Sequence, residues 1–176
     1  MTIDTEKEKT PGGIEIDLRL AGLLTGKTSK TMQRWCTDGT LPSRIVDQRG
    51  KRMVLLDSVL LFTPLCADDA WLVGEAAGGN AGALNEIGVI FLEAGKPEIA
   101  FAWFDGAAKA GHADAMHWLS KYFIYGTMGV AANEALGMSW LAAAAAKGHE
   151  IAKAQWTTFR IGRFEIEDYS NAFEND

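Results

Sequence analysis

The fold of the first third of the chain is set by residues 25–42, which read TGKTSKTMQRWCTDGTLP. A Gly-Lys pair predicts a tight turn, and Thr28 after it is a good N-cap for a helix. Met32 and Trp35, on one face of that helix, are its predicted buried stripe. The helix is expected to end at Asp-Gly, because Gly39 can adopt the left-handed conformation found at helix C-termini.

Signals on both sides of this stretch complete a small module. Upstream, Asp17 is positioned to cap a helix over residues 17–25. Downstream, two short apolar runs at 45–46 and 53–56 flank the sequence DQRGKR, which predicts a hairpin with a basic tip. Asp57 is expected to cap a further short helix, which ends before Pro64.

From residue 67 onward the chain is rich in Ala, Gly and Trp and has helical periodicity. Three glycine-ended stretches align, EAAGGN at 75–80, AAKAGH at 107–112 and AAAKGH at 144–149, so their spacings are 32 and 37 residues. At these offsets two sets of residues fall in register: Trp71, Trp103 and Trp140, and Ala83, Ala115 and Ala152. Periods of this length, with two antiparallel helices each, are typical of an α-solenoid, in which the tryptophans are expected to fill the gap between layers.

The composition is that of a globular protein, with 48% apolar and 23% charged residues among 176. The two cysteines and three histidines have no zinc-like or redox spacing, so we expect no metal, no cofactor and a reducing compartment. No signal peptide or membrane span is evident, which predicts a cytoplasmic protein with no membrane partner. Residues 1–66 carry 10 Lys and Arg against 8 Asp and Glu, whereas residues 67–176 carry 7 against 15. This asymmetry is expected if only the first part contacts phosphate.

The residues resemble two known families. Residues 26–35, 39–42, 49–52 and 57–62 are similar, in their order, to the winged helix-turn-helix of MerR-type and excisionase-type proteins. The later part resembles Sel1-like repeats, which are TPR-like, through its Trp, Ala-Ala pair and Gly-His. The resemblance implies DNA recognition by the first part and partner binding by the second.

The predicted fold is therefore mainly α, a small winged helix-turn-helix domain with a β-hairpin wing followed by an α-solenoid of Sel1-like helical repeats. Four segments are expected. Residues 1–13 form a disordered leader and 14–66 the DNA-binding domain. Residues 67–159 form the repeats, and 160–176 form an acidic C-terminal tail that caps the last repeat or dimerises.

A recognition helix must project polar side chains into the major groove from its first turns. With its apolar stripe facing inward, the helix after the turn leaves its polar residues open, where Gln can read adenine and Lys or Arg can read guanine. The basic hairpin would hold the phosphate backbone, or lie along the minor groove. The predicted DNA-binding residues are Thr28, Ser29, Lys30, Thr31, Gln33, Arg34, Thr37, Arg44, Arg49, Lys51 and Arg52.

We therefore expect a bacterial-type transcriptional regulator or DNA-architectural protein, nucleoid-associated when bound, and not an enzyme. Its expected partners are double-stranded DNA and, through the repeats, a protein partner or a second copy. A homodimer is expected, because one small head binds DNA weakly. His112 and His149 recur with the repeated turn and are expected to be structural; Trp118, Tyr122 and Tyr125 are candidates for lining a partner-binding face.

Two alternatives are open. The net charge of -6 suits a non-catalytic protein-interaction adaptor without DNA binding. The sequence AGLLTGKT at residues 21–28 fits a permissive Walker A pattern, and MVLLD at 53–57 can be taken for a Walker B strand. Against a phosphate-binding loop, residues 14–20 carry three charges and make a poor buried strand.

Overall fold

The computed structural model describes residues 13–126 and 130–159. They are mainly helical, with one small antiparallel sheet, and divide between Ala70 and Trp71 into two compact units. The expectations for the tail, and for the leader before Gly13, lie outside the described residues. Within the described ranges, no helix is both long enough and apolar enough to cross a membrane.

The first unit contains three short helices and a three-stranded sheet. In chain order its elements are β1 (Glu15–Asp17), α1 (Leu18–Thr25), α2 (Ser29–Thr37), β2 (Ser43–Ile45), β3 (Arg52–Leu55) and α3 (Leu56–Leu60). A 3-10 turn, Ala67–Asp69, ends the unit. The strand order is β1-β3-β2, and both pairs are antiparallel.

The caps predicted for the first two helices are confirmed. The Asp17 carboxylate accepts a hydrogen bond of 2.9 Å from the backbone N–H of Leu20. The Thr28 hydroxyl accepts one of 3.3 Å from the N–H of Thr31. Between the helices Gly26 has a φ of 67°, so the chain turns through the left-handed region that glycine tolerates.

The sheet and the third helix differ from expectation. The sequence predicted only a hairpin, but β1 adds a third strand, with Ile16 opposite Val54. The cap predicted at Asp57 is wrong. β3 runs directly into α3, whose first residue Leu56 is fully buried and donates its N–H to the Ile14 carbonyl at 2.8 Å. Asp57 consequently lies in the first turn of α3, which has no side-chain cap.

The core of the first unit joins the sheet to the helices. Met32 is fully buried, as predicted, whereas Trp35 is only half-buried and packs on Phe62, with ring centroids 4.8 Å apart. The apolar side chains that are less than 3% exposed are Ala21, Leu24, Met32, Leu41, Val54, Leu56 and Val59. Burial of a leucine- or methionine-sized side chain contributes roughly 1.5–3 kcal/mol, so this core can hold the short elements together.

All the regular elements in the described residues of the second unit are helices. Its helices are α4 (Ala70–Ala77, from the last residue of the first unit), α5 (Ala81–Glu93), α6 (Pro97–Lys109), α7 (Ala113–Tyr125), α8 (Glu134–Ala146) and α9 (residues 150–159). Along the chain, α5 packs on α6, α6 on α7 and α7 on α8.

The same C-terminal cap occurs at the ends of α4, α6 and α8. In each, a glycine has a φ between 85° and 95°, at Gly79, Gly111 and Gly148. The next residue donates its N–H to a carbonyl five residues back, over 3.0–3.1 Å, which is the Schellman arrangement. The three aligned alanines, Ala83, Ala115 and Ala152, are all buried.

The aligned tryptophans are not equivalent. Trp103 is 1% exposed and fills the interior as expected, but Trp71 is 63% exposed and Trp140 is half-buried. Trp71 lies on α4, the first helix of the unit. Among the unit's described residues no helix precedes α4 in the chain that could cover this side chain. The prediction that all three fill a gap between layers is therefore wrong for Trp71.

Candidate nucleic-acid interface

Helix α2 has a buried side and an open polar side. Met32 anchors it in the core, while Ser29, Lys30, Gln33 and Arg34 are exposed. The separation follows from helical spacing, since residues three and four apart share a face. The open side therefore carries a hydroxyl, an amide and two cations within two turns.

The three threonines in the predicted set form hydrogen bonds with one another or with the backbone of α2. The hydroxyls of Thr28 and Thr31 are 3.1 Å apart, and Thr28 also caps the helix. The Thr37 hydroxyl donates to the Gln33 carbonyl at 2.9 Å. These side chains stabilise the ends of α2, which leaves Lys30, Gln33 and Arg34 as the long side chains on its open face.

The hairpin tip is held by its own backbone and by one carboxylate. Asp47 Oδ1 accepts hydrogen bonds from the N–H of Arg49, at 2.9 Å, and from the N–H of Lys51, at 2.8 Å. The N–H of Val46 donates to the Lys51 carbonyl at 2.9 Å, and Gly50 has a φ of 79°. Arg49 and Lys51 are exposed, so the tip presents two cations on an ordered turn.

Two other cations of the predicted set have partners inside the unit. The Arg44 guanidinium donates to both carboxylate oxygens of Glu15, at 2.6 and 2.5 Å, and so links β2 to β1 across β3. This hydrogen bonding holds the pKa of Glu15 below its ordinary value and raises the pKa of Arg44. Arg52 donates to the Ser43 hydroxyl at 3.1 Å and is half-buried. Both residues therefore stabilise the sheet in this structure.

The positive charge of the unit is less neutralised than its composition indicates. Its described residues, 13–70, carry eight Lys and Arg against seven Asp and Glu. Glu15 pairs with Arg44, Asp17 caps α1, Asp47 closes the tip, and Asp38 accepts from the N–H of Thr40 at 3.0 Å. Among the described residues, seven of the eight cations of the unit form no ion pair within 4.0 Å: Arg19, Lys27, Lys30, Arg34, Arg49, Lys51 and Arg52.

The Walker A-like stretch does not form a phosphate-binding loop. Residues 21–25 belong to helix α1, and the turn after them leads to α2 rather than following a strand. Residues 53–55 lie in β3, whose two neighbours are both antiparallel. The parallel strands that such a loop needs are absent from the part of the chain that the structure describes.

Two of the three histidines, His117 and His149, are in contact in the second unit, which the sequence did not indicate. His117 is buried on α7 and its Nε2 is 3.0 Å from Gln155 Oε1 of α9. Its ring lies 4.4 Å from that of His149, whose Nδ1 accepts from the Ala152 N–H and caps α9. Burial lowers the pKa of His117. Across the described ranges, no three His, Cys, Asp or Glu side chains are grouped so as to hold a metal ion.

Comparison of the chain with protein-family models, with curated proteins and with solved structures gives no match.

Proposed function

We propose that the first unit is a winged helix-turn-helix that binds double-stranded DNA, and that the protein is a transcriptional regulator or a DNA-architectural factor. The observation that carries the proposal is the placement of the unpaired cations. Lys30 and Arg34 lie on the open side of a helix anchored by Met32, and Arg49 and Lys51 lie at an ordered hairpin tip. A helix and a basic ribbon of this kind suit major-groove and backbone contacts.

The roles follow from the chemistry of each side chain. On α2, the amide of Gln33 can form two hydrogen bonds with adenine, and Lys30 and Arg34 can bond guanine or phosphate. At the tip, Arg49 and Lys51 would neutralise backbone phosphates. Arg44 and Arg52 would act indirectly, because Glu15 neutralises the charge of Arg44 and the Ser43 hydroxyl holds Arg52 against the sheet.

The second unit would provide the contact with a protein partner or with a second copy of the chain. The three equivalent Schellman caps and the buried alanines support a Sel1-like helical repeat. A single head of this size binds DNA weakly, so a homodimer on a two-part site is the arrangement that we propose.

The proposal is tested by measuring DNA affinity as a function of salt. Replacement of Lys30, Arg34 and Lys51 by alanine should weaken binding and flatten the plot of log K against log salt. Each phosphate contact contributes about 0.9 to that slope, so the loss should reach about 2.7 if all three residues contact phosphate. Unchanged affinity and slope in the triple variant would reject this assignment.

A matched control removes the same charge from the second unit. Lys96, Lys109 and Lys153 replaced together by alanine should leave the salt slope nearly unchanged, because none of them belongs to the proposed interface. If both triple variants weaken binding equally, net charge rather than the α2 and hairpin surface would explain the attraction.

A second candidate function is a protein-interaction adaptor that does not bind DNA. It is favoured by exposed apolar side chains in the first unit, where Ile45 is 58% and Leu61 is 82% exposed. Large exposed apolar side chains are more useful in a protein interface than against phosphate. Failure of the wild-type chain to shift any fragment of sheared genomic DNA at low salt would favour the adaptor.

A further inference from the structure

An acidic residue lies at the base of the basic hairpin tip, where a negative charge opposes the attraction of phosphate. Asp47 is the only Asp or Glu between Thr40 and Leu56, a segment with four cations. If the tip served DNA by charge alone, a neutral residue would serve better there. This carboxylate is therefore expected to have a structural role in the hairpin.

The reason lies in the hydrogen bonds of the tip. One oxygen, Asp47 Oδ1, accepts from the N–H groups of both Arg49 and Lys51, at 2.9 and 2.8 Å. The Asp47 carbonyl also accepts from the Gly50 N–H at 3.2 Å. The carboxylate thus bonds the backbone of the two residues whose side chains are the cations of the tip.

No buried side chain holds the tip in place. Every residue from Arg44 to Lys51 is exposed, and ordering an exposed loop costs conformational entropy that packing does not offset here. A carboxylate oxygen that accepts hydrogen bonds from two backbone N–H groups is a means by which Asp stabilises turns. The order of the tip consequently depends on Asp47 more than on any apolar contact.

We propose that Asp47 is a positioning residue for DNA binding, which fixes the turn so that Arg49 and Lys51 face the phosphate backbone together. The inference rests on the proposed function of the first unit. The ordered turn strengthens DNA binding by more than the negative charge of Asp47 weakens it.

Two substitutions separate the charge from the hydrogen bonds. Asp47→Asn removes the charge and keeps an oxygen that can accept from both amides, so DNA binding should be equal to wild type or tighter. Asp47→Ala removes the charge and the acceptor, and binding should be weaker than in Asp47→Asn by about tenfold, the loss expected from one or two hydrogen bonds. Asp57→Asn, at an exposed position in α3, is the control for charge alone and should change affinity only slightly.

Amide hydrogen exchange of Arg49 and Lys51, measured by NMR on the full chain without DNA, provides a readout that charge alone would not change. Exchange should be faster in Asp47→Ala and near wild type in Asp47→Asn. Unchanged exchange in Asp47→Ala overturns the inference. If wild type binds DNA and both Asp47 variants bind more tightly to the same degree, the inference fails while the proposed function stands. If wild type does not bind DNA, the proposed function fails and the inference fails with it.

Discussion

Gly88 of α5 lies directly against the ring of Phe104 in α6. A Cβ at position 88 would come within 2.7 Å of Cε1 and 2.8 Å of Cδ1 of that ring, whereas carbon atoms in contact are about 3.5–4.0 Å apart. The ring has little freedom to move, because Phe104 is fully buried and stacks on Trp118 with centroids 5.5 Å apart. We therefore predict that Gly88→Ala destabilises the second unit.

The magnitude follows from two opposing effects. Overpacking of a filled core costs about 1–3 kcal/mol, and a contact about 1 Å too short against a held ring belongs to the upper part of that range. Alanine in a helix interior is more favourable than glycine by roughly 0.5–1 kcal/mol, which offsets part of this cost. The free energy of unfolding should therefore fall by about 1–2 kcal/mol. Gly74→Ala, at an exposed position of helix α4 with nothing within 4 Å of the new Cβ, should instead raise it by about 0.5–1 kcal/mol.

Urea unfolding of the full chain, followed by far-UV circular dichroism, measures both changes as shifts of the midpoint at constant slope. A smaller residue opposite should relieve the contact, so Gly88→Ala should cost less in a Phe104→Leu background than alone. If Gly88→Ala stabilises the chain as much as Gly74→Ala does, position 88 of α5 does not lie against the Phe104 ring of α6.

Two further predictions concern pH. Arg44 lowers the pKa of Glu15, and a depressed carboxyl pKa gives stability that is present above the unfolded value and lost as the pH falls through the folded one. Arg44→Ala should raise the Glu15 pKa toward its ordinary value in a carboxyl NMR titration, and an unchanged titration would contradict the ion pair. Burial lowers the pKa of His117, so the unfolded chain takes up that proton first and stability falls as the pH drops below about 6.5. His117→Gln should lose less stability than wild type between pH 7.5 and 5.5 in urea unfolding; an equal loss would place the acid sensitivity elsewhere.

The sequence by itself determined the local features of both units. The caps at Asp17 and Thr28, the left-handed turn at Gly39 and the basic hairpin tip were all predicted at the correct residues. Each of these features is made by groups within five residues of one another. Their energetics therefore depend on residue type and spacing, which a sequence shows directly.

Only the tertiary structure decided which distant groups meet. β1 pairs with a strand some 40 residues later, the Glu15 carboxylate pairs with Arg44 of β2, and His117 contacts Gln155 of α9 across 38 residues. Burial is also set by neighbours: Trp71 and Trp103, at aligned positions of the sequence, are 63% and 1% exposed. Periodicity shows which face of a helix is apolar. The elements that pack against that face are remote in the chain, and no local sequence signal specifies which elements they are.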